Sequence, residues 1–495
     1  MTRPSRRNKR TALLLLAVMA VFTTACGSRL TGGALALAEG AGHGDSGPSG
    51  ASGGDLSGGS AGTSATAAST GTAGTTVSSG AGTGAPDAAT AAAGGSGGTS
   101  ASCNASNNGG ATDKGVTANS ILVGNITSIS GVAPGLTQSA QQATQAWAAY
   151  VNSMGGICGR MIKVQTFDDG NDSGQNYADA TQACASDFAM VGNASGFDDG
   201  TANALTSGSC VGMPDVAAEI STHAAGNVPT IWGASPGNAH YWATGPAVWL
   251  KSQYPSATQN AAMVYLQVPA TQEQAQSEIS AYQSVGWKYT YQQAATATDT
   301  GYCGYVTAMA NAKVQYVTEY SDVNSAERLS AALANPTCTG SWKPQVVDWF
   351  AEEYTPDFIS QTNGSAVGNL LLMATAPYED AASNPGLQLM MQWTNRIAPG
   401  FKHDIFAELA WSAGMAFLQA AKAVGPHLTR AALDQQLNQI HQWDGGGMTP
   451  PLTDFANRIP SPCFAYMKIT QTGFQRIYPP QPNSYDCTSG GLIHY

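Results

Sequence analysis

The chain has 495 residues, 43% of them hydrophobic, with a formal net charge of −11 and only 11% charged side chains. A chain so poor in Lys and Arg is unsuited to nucleic acid or an anionic bilayer surface, since both demand clustered cations. Its length exceeds what a single hydrophobic core serves, so more than one lobe is expected.

Arg3, Arg6, Arg7, Lys9 and Arg10 precede an apolar run from Thr11 to Phe22. About a dozen residues make a secretion-signal core and are too few to span a bilayer. Thr23, Thr24 and Ala25 then lead into Cys26-Gly27-Ser28. This resembles a bacterial lipoprotein lipobox, with Thr23 where that motif usually has Leu. The resemblance implies a signal peptide over residues 1–25 and a lipid on Cys26. Loss of the five basic residues would take the charge from −11 to −16. Residues 31–101 are almost wholly Gly, Ala, Ser and Thr, with no aromatic residue, Lys or Arg. Such a segment cannot offset its ordering entropy by burial, so residues 26–114 read as a lipid anchor and disordered tether. A flexible coil of about 70 residues spans roughly 45 Å.

From Ile121 short apolar runs alternate with helical patterns. Ile121 to Gly124 predicts a strand, and Ala143, Trp147, Tyr150, Val151 and Met154 predict a helix ended by Gly155-Gly156. Ile162 to Phe167 is a strand, residues 174–186 a helix, and Phe188 to Gly192 a strand. This βαβαβ order implies a parallel, doubly wound α/β sheet. Further strands are expected at Thr230 to Trp232, Ala261 to Val268, Tyr289 to Gln292, Val314 to Thr318 and Val346 to Phe350. Helices fill the gaps at Gln272 to Val285 and Glu327 to Leu333, a long one runs from Ile405 to Val424, and Thr429 caps another. Phe464 to Ile469 and Phe474 to Ile477 read as a hairpin.

Nine cysteines are present. With Cys26 set aside, Cys103, Cys158, Cys184, Cys210, Cys303, Cys338, Cys463 and Cys487 remain for disulfides in an oxidising compartment. Roughly a hundred pairings are open to eight cysteines, and chain order suggests neighbour with neighbour. No two cysteines lie close enough for a zinc site, so neither metal nor other cofactor is expected.

Gly115-Val116-Thr117, Ile121 to Gly124, Ser130-Gly131, Tyr150-Val151-Asn152, Gly155 to Arg160 and Asp168-Asp169 together resemble the opening of the leucine/isoleucine/valine-binding family of type I periplasmic binding proteins. Leu428 to Leu433, Gly445 to Pro451 and Pro462 to Phe464 continue the likeness, which runs from about residue 115 to 480. It implies two doubly wound parallel-sheet lobes joined by a three-strand hinge. The first lobe would take residues 115–243 and 373–455, and the second residues 244–372 and 456–495.

Ligands of open α/β sheets sit beyond the carboxyl ends of the strands, where helix N-termini attract anions. In the first lobe that points to Ser128, Ser130, Asn193, Ser195, Gly196, Gly233 and Ser235. In the second, Gln267, Tyr320, Asp322, Glu352, Glu353 and Tyr354 follow strands. The resemblance places Glu352 or Glu353 where amino-acid binders carry an acid for the ammonium group.

These features imply a monomeric extracytoplasmic lipoprotein that captures a small polar solute, such as an amino acid, amide or carboxylate, for an ABC permease. Its contact with the membrane would be through the lipid alone. No catalytic constellation is evident, and Asp168-Asp169 lie in a turn. The alternative is a ligand-sensing module of the same fold that signals to a membrane partner.

Overall fold

The computed structural model describes residues 103–235, 240–451 and 453–495. The signal, Cys26 and the segment 31–101 lie outside the described residues. No helix among the described residues is long and apolar enough to cross a membrane.

The first lobe is built on a five-stranded parallel sheet of order β2-β1-β3-β4-β5. Its strands are β1 (Ser120–Thr127), β2 (Met161–Asp168), β3 (Ala189–Val191), β4 (Asp215–Ala217) and β5 (Ile231–Gly233). Between them run α1 (Gln138–Ser153), α2 (Ser173–Ser186), α3 (Asp199–Leu205) and the short α4 (His223–Gly226). Helix α1 buries Ala140, Ala143, Trp147 and Val151, the 3–4 spacing of an amphipathic helix laid on a sheet.

The chain leaves this lobe through β6 (Tyr241–Ala243), which pairs with the C-terminal strand β14 (Leu492–His494), and continues into α5 (Gly245–Gln253). The second lobe holds β7 (Ala261–Leu266), β8 (Tyr289–Ala295), β9 (Tyr316–Tyr320), β10 (Val346–Trp349) and β11 (Leu370–Met373). These five are parallel. The hairpin of β12 (Ala465–Ile469) and β13 (Phe474–Tyr478) adds antiparallel to β11, giving the order β13-β12-β11-β10-β9-β7-β8. Its helices are α6 (Pro269–Ser284), α7 (Tyr302–Asn311), α8 (Val323–Ala334), α9 (Pro336–Thr339) and α10 (Pro356–Thr362).

After β11 the chain returns to the first lobe as α11 (Pro385–Ile397), α12 (Ile405–Val424) and α13 (Arg430–Leu437). Helix α12 lies against α1, and a Cβ at Gly414 would stand 2.5 Å from the Trp147 ring, so a glycine is what admits the indole. Three passages therefore join two lobes, as the likeness implies.

Disulfides join Cys103 to Cys158, Cys184 to Cys210, Cys303 to Cys338 and Cys463 to Cys487. The first corrects one boundary: residues 103–114, read as tether, belong to the folded unit. Buried Arg160 holds them there, donating to the carbonyls of Asn108 and Gly110, to Thr117 O at 2.9 Å and to Pro426 O at 3.2 Å. A second difference is β4, a strand of three residues beside Pro214, too short to show a period.

Candidate ligand cleft

Three connected cavities lie between the lobes. The outer one, about 460 Å³, is walled by the β1–α1 loop and α1 on one side and by the start of α8 and the β10–α10 loop on the other. An inner pocket of about 50 Å³ shares Asp322, Glu352 and Phe406 with it and adds Gly196, Glu219, Ser221, Thr271 and Gln274. Glu219 and Gln274 also line a third cavity of about 90 Å³ among the three interlobe passages. The outer volume alone is in the range of small-molecule sites.

Of the residues singled out in sequence, Gly196, Asp322 and Glu352 line the inner pocket, and Ser235 lines the hinge cavity. Gly196 contributes its carbonyl to the lobe contact, accepting from Ala270 N of α6 at 3.4 Å. Outside the cavities the lobes also meet where His223 N donates to Glu273 Oε2 at 2.5 Å.

The remaining candidates are placed away from the cavity walls. Ser128 and Ser195 are buried and donate to opposite oxygens of Asp169, so both hydroxyls are spent beneath the loops. Asn176 Nδ2 adds a third side-chain bond to Asp169 at 3.0 Å. Ser130 is exposed, with its amide on Asp168 Oδ1 at 3.0 Å. Asn193 is a strut within the sheet: its Oδ1 accepts from Ile126 N at 2.7 Å and its Nδ2 donates to Asp215 at 3.1 Å. Gly233 lies on β5, where a Cβ would meet Ile220 Cγ1 at 2.8 Å. Gln267 is exposed. Tyr320 is buried in the second lobe and donates to Glu278 at 2.8 Å. Glu353 points down onto Glu319, and burial with this acidic neighbour raises its pKa well above the carboxylate range. Tyr354 donates to Glu379 and faces a separate surface pocket with Tyr378, His403 and Phe474.

The residues missed in sequence follow β4. Glu219 stands partly buried in the cleft, its pKa raised to about 7 by burial. Glu352 is raised as well, by burial first and then by Glu219, Glu319 and Asp322. Reading β4 would have found Glu219, because the loop after a parallel strand is where ligands bind.

Two helix N-termini beside the outer cavity are already capped by acids. Asp322 caps α8, accepting from Asn324 N and Ser325 N at 3.0 and 3.3 Å, and Asp404 caps α12 by accepting from Ala407 N at 3.1 Å. Lys402, on the outer cavity, is paired with Asp357 at 2.6 Å. The cleft is therefore rich in acceptors and poor in cations.

A family model described as periplasmic binding protein matches residues 120–473. Solved structures share the fold at low identity. A fatty acid ABC transporter substrate-binding protein from Thermomonospora curvata is 18% identical, covers 74% of this chain and 93% of its own, and has a TM-score of 0.63. The branched-chain amino acid binding protein LivJ from Streptococcus pneumoniae, solved with isoleucine, is 14% identical over 73% of this chain and all of its own (100%), at a TM-score of 0.58. A solute-binding protein of an ABC transporter from R. palustris, solved with benzoate, is 13% identical over 76% and 98%, at 0.59. No curated protein matches the chain by sequence.

Proposed function

The chain belongs to the periplasmic binding protein family, and from that premise we propose that it captures a small solute between its lobes and delivers it to an ABC importer. In this reading Cys26 carries a lipid that holds the protein to the outer face of the cell membrane, with residues 31–101 as the leash. The family binds substrates rather than transforming them, and the cleft is read here as a binding site without chemistry.

The observation that carries the proposal is the outer cavity of about 460 Å³ whose walls come from both lobes. A solute placed there touches both lobes only when they are together, so its binding energy favours the closed form. Glu352 and Asp322 supply acceptors from the second lobe, while Gly196 and Glu219 face them from the first. Relatives of this fold were solved with isoleucine and with benzoate, so the architecture accommodates ligands of this size.

A thermal-shift screen of the full chain against amino acids, amides, amines and small carboxylates tests the reading. A solute at about 100 times its dissociation constant adds about 2.7 kcal/mol of stability and moves the midpoint by a few degrees. Absence of any shift across the panel counts against solute capture. Metabolic labelling with a palmitate analogue, with Cys26→Ala as control, tests the anchor.

A further inference from the structure

The hinge cavity gives the cleft a second compartment of different chemistry. Trp242, Phe350, Leu372, Ile405, Leu409 and Phe464 form its walls, drawn from all three interlobe passages and from α12. Its volume is about 90 Å³. An apolar cavity that accepts benzene has about 150 Å³, so this smaller space holds part of such a group, the rest of which reaches into the inner pocket.

Its mouth carries acids and no cation among the described residues. Glu219 and Gln274 line both the hinge cavity and the inner pocket, and Glu352 lines the inner pocket opposite the first lobe. Gln274 Oε1 is buried with no hydrogen-bond partner among the described residues. A buried acceptor left unmatched is destabilising, so a donor from the solute would remove a penalty as well as form a bond. No Lys, Arg or His lines either of these two cavities among the described residues. A carboxylate placed here would lose its water while facing Glu219, Glu352 and Asp322, with no Lys, Arg or His among the described lining residues to balance its charge. An ammonium meets acceptors on each side.

We infer that the solute is an amine with a compact apolar body, its nitrogen held among Glu219, Gln274 and Glu352 and its apolar body in the hinge cavity. This rests on the interlobe cleft being the solute site, and it makes Glu219 the residue that turns the cleft away from carboxylates. Ser221, 1% exposed and next to Glu219, is placed to accept from the same nitrogen.

Titration calorimetry of the full chain with phenethylamine, and with 3-phenylpropanoate as the matched anion, tests the inference. The amine is expected to bind at least about tenfold more tightly than the anion, a difference of about 1.4 kcal/mol. Glu219→Gln should weaken phenethylamine by about tenfold or more and narrow the gap between the two probes. Ala374→Leu, on the hinge-cavity wall, fills the space and should abolish phenethylamine binding while the melting midpoint stays close to that of the parent chain. An anion that binds as well as the amine, or an Ala374→Leu protein that binds phenethylamine undiminished, overturns the assignment. Binding of an amino acid or aromatic acid from a wider panel, with phenethylamine silent, rejects the amine and leaves solute capture standing. Silence from every panel member removes both.

Discussion

Asp169 shows how a single side chain organises the first-lobe loops. Fully buried, it takes hydroxyl protons from Ser128 and Ser195, an amide proton from Asn176 and the backbone N–H of Asn171 at 3.0 Å. Hydrogen bonds to a charged group contribute about 1.5–3 kcal/mol each, but they are not additive and the burial of the carboxylate opposes them. Asp169→Ala strands two buried hydroxyls and an amide, and we expect a loss of roughly 3 kcal/mol in a denaturant melt. An unchanged midpoint would mean that the loops do not depend on this hub. The same network explains why the serines following first-lobe strands mislead a reader of sequence. A serine at the end of a parallel strand has the composition of a ligand site, and only the position of Asp169 decides that Ser128 and Ser195 turn inward. Glu219 is the converse case, a cleft residue hidden behind a strand too short to recognise.

At the level of elements, long periodic segments were legible and short ones were not. Helix α12 spans Ile405–Val424, as its apolar pattern and the following Gly425-Pro426 indicate, and Asp404 supplies the cap. The three residues of β4 carry no period, and the four of β11, Leu370–Met373, are a plain apolar run that strand and buried helix share. The two lobes followed from the βαβ rhythm and the family likeness, whereas the hinge cavity depends on how three distant passages meet and has no local signature. The disulfides pair neighbours in chain order, which spacing alone leaves open. Cys103–Cys158 closes a separation of 55 residues and fastens the segment before β1 to the lobe. In the chain-entropy view a loop of that length contributes roughly 4 kcal/mol. Replacing both cysteines by serine should therefore lower the thermal midpoint by several degrees, with Arg160 still holding residues 108–110 through their carbonyls. A midpoint within a degree of the parent would show that the arginine suffices.

The whole molecule carries a reserve of protons. Burial raises Glu278 to about 7 and Asp348 to about 8 in the second lobe, and Glu219 to about 7 in the cleft. Unfolded, such groups titrate near about 4. The folded state then holds more protons between about pH 4 and 8, so stability falls as pH rises through that window and is greatest toward its acidic end. The melting midpoint should accordingly be higher at pH 5 than at pH 8, and the reverse order would refute the buried, protonated carboxyls. Ligand affinity runs the other way. An ammonium prefers ionised Glu219, which faces Ser221 on its own loop, Asp198 on the neighbouring one, and Glu352 and Gln274 across the cleft. Phenethylamine should therefore bind more tightly at pH 8 than at pH 6, a slope that Glu219→Gln should flatten.

Solute capture of this kind requires the two lobes to close around the ligand. Pro134 and Gln361 are exposed and line the outer cavity from opposite lobes, so spin labels carried there on unnatural amino acids report its width. Pulsed electron–electron resonance is the direct measurement, taken with any panel solute that raises the melting midpoint. The label distance should shorten into one narrow population when that solute is added. A solute that stabilises the protein while leaving the distance distribution unchanged would contradict capture by closure.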